Sequence, residues 1–344
     1  MAPRPPQRVL LIQLRRLGDV VLSTALLEDL RRAFPDAQFD YLVGQEAAPL
    51  VAGHPLVHER IVFDPNRTLA MWREIRTRRY DWVVDLQGSL RTAMLTRASG
   101  ARVRLGWRIG AWRLFYTRAR SRVGRMEYVP RQRARLLEDG GVSLDADTPS
   151  HPRIHLSEEE RLRGERDARS AGAVPEARRV GMLLSTREPA KDWSIEEFGA
   201  VAGVLLREGV SVLIFQSPED ARLVARMRVL APGVVVLPVM DVRRVAGVMA
   251  GCCVFVSGDT GPAHMADALG VPRVTLFGPT SPVSWTSGSA TTVAISGPNA
   301  RIVPLRDRAE RHAAGEQFMA GIGAEEVVAA VRKLLNDLPC PGVA

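Results

Sequence analysis

The sequence predicts an α/β protein of two doubly wound domains. Three observations carry that expectation. Short apolar runs alternate with longer helical stretches, as they do when parallel strands are joined by crossover helices. The alternation is interrupted by a charged stretch near 140–178 and then restarts. Finally, the run Gly258-Asp259-Thr260-Gly261-Pro262-Ala263-His264-Met265-Ala266-Asp267-Ala268-Leu269-Gly270 lies between two apolar runs and reads as strand, tight turn, short helix, strand. A length of 344 residues suits two domains of ordinary size.

In chain order, residues 8–14, Arg-Val-Leu-Leu-Ile-Gln-Leu, read as a strand buried in a parallel sheet. The turn Arg15-Arg16-Leu17-Gly18-Asp19 opens a helix predicted to reach about residue 33, where Pro35 stops it. Strands are expected at 39–43, 60–63, 82–86 and 103–107, with helices at 69–79 and 89–99 between them. A very charged helix spans 157–171. The rhythm then resumes with strands at 180–184, 210–215 and 234–237 and helices at 194–207, 219–230 and 242–250. The apolar runs 252–256 and 271–277 flank the 258–270 motif, and 325–335 reads as one more amphipathic helix. Both predicted sheets carry candidate functional residues on their carboxyl-edge loops, so the two domains are expected to face each other across a cleft.

Charge is uneven. Residues 1–140 hold 25 Arg against 14 Asp plus Glu, whereas 141–344 hold 22 basic and 24 acidic residues. The excess points to an anionic partner: a phosphorylated substrate, an acidic membrane surface or nucleic acid. Aromatic content is only 6%, with no basic-aromatic interleaving, so no specific nucleic-acid partner is expected. Of the 47 basic residues only Lys191 and Lys333 are lysines. No apolar run reaches the length of a membrane span, and no signal-peptide pattern precedes the first strand, so a cytoplasmic protein is expected. Cys252, Cys253 and Cys340 suggest neither a disulfide framework nor a metal cluster, and a reducing compartment fits.

Several loops could carry chemistry. In the 258–270 run, Asp259 or Thr260 can cap the helix, and Gly261 lets a ligand approach the backbone, making a seat for a phosphate or diphosphate. Asp259 also reads as an acceptor for sugar hydroxyls, and His264 as a packed histidine or a ligand contact. Ser185, Thr186 and Lys191, on the loop after strand 180–184, offer hydroxyls and a point charge to phosphate oxygens. Asp19, beside Gly18, reads as a helix N-cap or as a general base. Thr280, in Phe277-Gly278-Pro279-Thr280, could donate to a phosphate, and Glu219 or Asp220 could hold a ribose. The G-x-G-x-x-G, Walker A, G-x-S-x-G and H-E-x-x-H patterns do not occur. Asp145-Ala146-Asp147 reads as linker, and His54, His58, His151, His155 and His312 show no metal-ligand spacing.

Four motifs together resemble the bacterial ADP-heptose heptosyltransferases, glycosyltransferase family nine. They are Arg16-Leu17-Gly18-Asp19-Val20-Val21-Leu22-Ser23-Thr24, Tyr80-Asp81-Trp82-Val83-Val84-Asp85-Leu86-Gln87-Gly88, Lys191-Asp192-Trp193, and the 257–270 run with Leu276-Phe277-Gly278-Pro279-Thr280. The resemblance spans about 8–335. It implies a GT-B fold of two Rossmann-like domains: an acceptor-binding domain at 1–165, a nucleotide-sugar-binding domain at 175–322, and a C-terminal helix and tail at 323–344. It implies inverting transfer of a heptose from ADP-heptose to an anionic lipopolysaccharide inner-core acceptor, with no further cofactor and no metal, near the cytoplasmic face of the inner membrane. Asp19 matches the family's base. Ser185, Thr186 and Lys191 match diphosphate and sugar contacts, Asp259 a sugar-contacting acid, and Thr260 and Gly261 diphosphate-binding amides. Met240 matches an adenine-pocket position, and Glu219 or Asp220 the ribose acid. Position 258 is Gly where Asn is frequent, residues 187–190 differ, and 297–325 lack the cysteines many members carry. A relative using another nucleotide-sugar or acceptor, or a catalytically silent nucleotide-sugar-binding protein, are the competing readings.

Overall fold

The computed structural model describes residues 5–122, 126–144, 150–303, 307, 309–310 and 315–340. Asp145, Asp147 and His312 lie outside them. The chain divides into two compact units, Met1–His155 and Leu156–Ala344.

The first unit is a six-stranded sheet in the order β3-β2-β1-β4-β5-β6. Its strands are β1 (Arg8–Gln13), β2 (Gln38–Gly44), β3 (Glu59–Phe63), β4 (Trp82–Asp85), β5 (Val103–Trp107) and β6 (Arg118–Arg120). All neighbours are parallel. Alternate β1 side chains enter opposite layers: Val9 and Leu11 pack in one apolar cluster, Leu10 in another with Ile12. Both faces are covered, which is why the strand is apolar throughout. The second unit repeats the plan in the order β12-β11-β10-β7-β8-β9. Its strands are β7 (Arg179–Leu183), β8 (Ser211–Phe215), β9 (Val235–Val236), β10 (Val254–Gly258), β11 (Arg273–Phe277) and β12 (Thr292–Ser296). In each sheet the earliest strand is central, and successive strands are added first on one side and then on the other. The carboxyl edge of such a switch point is where open α/β sheets bind ligands.

Four features depart from the sequence expectation. Edge strands β6 and β12 were not anticipated, because β6 is only Arg-Ala-Arg and β12 buries only Ile295. The helix expected to reach residue 33 is two helices, Leu17–Ser23 and Leu26–Ala33. At the break the Thr24 hydroxyl donates to Val21 O at 2.7 Å and accepts Arg153 N at 2.9 Å, so the incoming segment is bound where the helix would continue. The helix Val129–Asp139 was also missed; its buried face includes Arg133 beside Ala134, Leu136 and Leu137. Finally, Cys253 and Cys340 form a disulfide, with Cα atoms 4.7 Å apart, where none was expected. Cys252 stays free and buried.

The helix Glu158–Ser170 lies wholly in the second unit, not partly in a first domain ending at 165. A Cβ on Gly164 would lie 2.2 Å from the Gly247 carbonyl carbon, so the backbones of this helix and Val242–Met249 touch. Arg243 bonds Glu160, and Arg244 bonds Asp167 at 2.8 Å. The C-terminal helix Ala324–Asp337 also belongs to that unit: Val327, Val331 and Leu334 lie in its core with Val254 and Val274. No helix among the described residues is long and apolar enough to cross a membrane.

Candidate active site

In the second unit, β10 ends in Gly258 and the helix Gly261–Ala268 follows at once. Thr260 is its N-cap, accepting Ala263 N at 3.4 Å, and Gly270, at φ +76°, closes it. Asp259 is therefore released from capping, and it meets Lys191. The lysine Nζ lies 2.9 Å from Asp259 Oδ2 and donates to Asp259 O at 3.2 Å. Their side chains are 14% and 3% exposed. Burial pushes the Asp259 carboxyl up, but the Lys191 ammonium and His264 outweigh it and hold the group below the usual carboxylate range. His264 Nε2 sits 3.7 Å from Asp259 Oδ1, and its ring lies against Trp285 with centroids 5.5 Å apart. The Thr280 hydroxyl adds a smaller pull on Asp259.

The loop bearing Lys191 is held from both sides. Asp192 accepts Thr186 N at 2.6 Å, Thr186 Oγ1 donates to Glu188 O at 2.7 Å, and Trp193 Nε1 donates to Ile322 O at 3.0 Å. A Cβ at Gly258 would lie 2.7 Å from Lys191 O, so the glycine at this position lets the lysine loop close over β10. Two ammonium hydrogens of Lys191 are engaged by Asp259; Glu188 lies further off, at 3.9 Å. The remaining hydrogen, the Thr280 hydroxyl and the amides at the Thr260 helix start together suit an anion.

At the β8 edge the two acids separate. Asp220 is buried, accepts Ser217 N at 2.6 Å and Ser217 Oγ at 2.8 Å, and bonds Ser185 Oγ. It braces the loop, and Ser185 is bound to it. Glu219 is exposed beside it, and Met240 is half-buried on the loop after β9. Of the pair, Glu219 is the one open to a ribose.

In the first unit, the helix Leu17–Ser23 has Arg16 as its N-cap, not Asp19. Asp19 sits one turn in, its Oδ2 3.4 Å from Arg16 N, beside buried Gly18. Its other carboxylate oxygen is gripped by Arg133, which also donates to Asp19 O at 2.6 Å. Arg133 is 7% exposed and Asp19 29%. An arginine on the buried face of an otherwise apolar helix stripe was the signal for this partner, and it escaped notice because the helix itself did. Gln87, from the 80–88 motif, holds the loop before Asp19: its Oε1 accepts Leu14 N and Arg15 N, both at 3.0 Å. Asp40, His58 and Glu59 also gather on this unit, but the carboxylates are engaged by Arg8, Tyr80 and Arg78.

The profile of glycosyltransferase family 9 (heptosyltransferase) matches residues 68–312. Lipopolysaccharide heptosyltransferase 1 of Pseudomonas aeruginosa is 32% identical over 294 residues, covering 80% of this chain and 79% of its own. Among solved structures, a family 9 glycosyltransferase from Veillonella parvula superposes with a TM-score of 0.84 at 23% identity, covering 96% of this chain and 98% of its own. The E. coli heptosyltransferase WaaC with ADP-2-deoxy-2-fluoro heptose superposes at 0.70 with 22% identity, covering 95% and 99%. These likenesses share the GT-B fold, and the chain is a glycosyltransferase that belongs to family 9.

Proposed function

We propose that the chain transfers a heptose from ADP-heptose to an anionic inner-core sugar of lipopolysaccharide, with inversion at the anomeric carbon. The observation that carries the reading is the Lys191–Asp259 pair beside the Thr260-capped helix start. Asp19 takes the proton from the acceptor hydroxyl, and that oxygen bonds the anomeric carbon. The bond from that carbon to the diphosphate oxygen breaks with its electrons leaving on ADP, through an oxocarbenium-like centre. Lys191, the amides at Thr260 and Gly261, and the Thr280 hydroxyl meet the charge growing on the diphosphate. Asp259 orients Lys191 and accepts from sugar hydroxyls. Thr186, and Ser185 through its bond to Asp220, shape the loop that carries them; Glu219 takes the ribose, and Met240 borders the base. The arginine-rich first unit draws in the acceptor's carboxylates and phosphates.

The test is a donor screen by calorimetry and thermal shift with ADP, UDP, GDP and their sugars, followed by transfer to a Kdo-bearing acceptor. Selective stabilisation by ADP or ADP-heptose, and product of inverted configuration, are expected. Preference for UDP, or binding without transfer, overturns the reading.

A further inference from the structure

Between Asp85 and Glu127 the sequence holds ten arginines and no acidic residue, more positive charge than the whole chain's net +9. Among the described residues, the arginines from 104 to 122 meet few acids. Arg120 pairs with Asp139 at 2.8 Å and with Glu138 at 3.1 Å. Arg104, Arg118 and Arg122 instead bond the backbone carbonyls of Phe115, Asp139 and Gln87, which carry no compensating charge. In the middle of this stretch the short 3-10 helix Ala111–Phe115 turns apolar groups outward. Leu114 is 75% exposed, Trp112 and Phe115 are half-buried, and Arg108 and Arg113 are exposed around them. Trp112 Nε1 donates to Gly88 O at 3.3 Å, which anchors the tip at the carboxyl end of β4. Arg122 ties the same strand end, through Gln87, to the loop that carries Asp19.

We infer that the 108–118 tip is a membrane-docking surface for a bilayer with anionic headgroups. Leu114 enters the acyl boundary, Trp112 and Phe115 lie at headgroup level, and Arg108, Arg113 and Arg118 pair with lipid phosphates. An exposed leucine flanked by partly buried aromatics and ringed by unneutralised arginines is the chemistry of an interfacial binder. Nucleic acid would use the arginines but has no partner for Leu114. The inference rests on the proposed function in one respect: a lipid-borne acceptor makes docking beside Asp19 useful.

The test uses the full chain with no donor or acceptor present. Flotation with phosphatidylcholine vesicles, with and without phosphatidylglycerol, reads binding directly. The protein is expected to float only with the anionic vesicles and to be released by salt. Leu114→Asp is expected to weaken binding on the order of tenfold. Each of Arg108→Ser and Arg113→Ser weakens it about fivefold. Val229→Asp, at a 70% exposed position in the second unit, changes nothing and controls for added charge. Thermal melts equal to the parent show that the tip variants fold. Absent flotation, flotation indifferent to these variants, or tight salt-sensitive RNA binding lost on Arg108→Ser and Arg113→Ser overturns the inference. Vesicle binding by a chain that fails the donor screen leaves the surface standing and removes the proposed reaction; transfer to a delipidated acceptor without vesicle binding does the reverse.

Discussion

Asp19 and Asp259 both stand near the start of a helix that leaves one of the two middle strands of its sheet, Asp19 after β1 and Asp259 after β10. They are prepared in opposite ways. Asp259 is 3% exposed and locked to a lysine, with the helix cap delegated to its neighbour Thr260. Asp19 is 29% exposed, and its cation arrives from a helix 114 residues later. A buried acid with a buried partner is a fixed anion that aims other groups. An acid with one side open to water can exchange a proton. The same strand–turn–helix plan thus yields a scaffold anion in one unit and a candidate base in the other.

The largest expected effect breaks the buried pair. Lys191→Met leaves Asp259 as an unpaired buried charge and should cost about 3–5 kcal/mol in denaturant unfolding, with donor affinity lost as well. A cost near zero would mean that Asp259 is no scaffold. Next is a contrast in acid sensitivity. His54, packed against His155 with ring centroids 4.6 Å apart, is pushed down to about 4 by burial and by the neighbouring His155 and Arg153. Its folded value is below its unfolded one, so its contribution is complete above pH 6.5 and is lost as pH falls from there towards 4. The loss is up to about 3 kcal/mol. The first unit should therefore loosen on acidification while the second, where Asp259 is held low, persists; hydrogen exchange resolved by unit checks the order.

Asp19→Asn should lower kcat at least about a hundredfold while donor affinity stays as it was. Unchanged turnover would make Asp19 a structural acid like Asp259 and dissolve the contrast. The smallest effect belongs to Arg133→Met, which frees the carboxylate without removing it. We expect kcat about tenfold down with the donor KM unchanged, and partial recovery in Arg133→Lys, measured by steady-state kinetics.

Much of this was legible in the sequence because buried parallel strands announce themselves. β1, β2, β7 and β10 are dominated by buried apolar residues. The strands β6 and β12 were not legible, since Arg-Ala-Arg offers no apolar run and β12 buries only Ile295. The site split along the same line. Lys191 stood out by its scarcity, and the 258–270 turn by its glycines and cap. What the sequence could not show was pairing at a distance. Arg133 with Asp19, Asp220 with Ser185, and Cys253 with Cys340 are separated by 114, 35 and 87 residues. Spacing along a chain carries no information about such meetings until the sheets have brought their ends together.

The C-terminal helix has a consequence for synthesis. The first unit is complete once the chain has been made to His155, so it holds everything its core needs while the rest is still on the ribosome. The second half has no such early closure. Val327, Val331 and Leu334 fill the space beside β10 and β11. Until that last helix emerges, six finished strands wait with an open apolar face. A nascent chain arrested before it would be half folded and half adhesive, the kind of species chaperones hold.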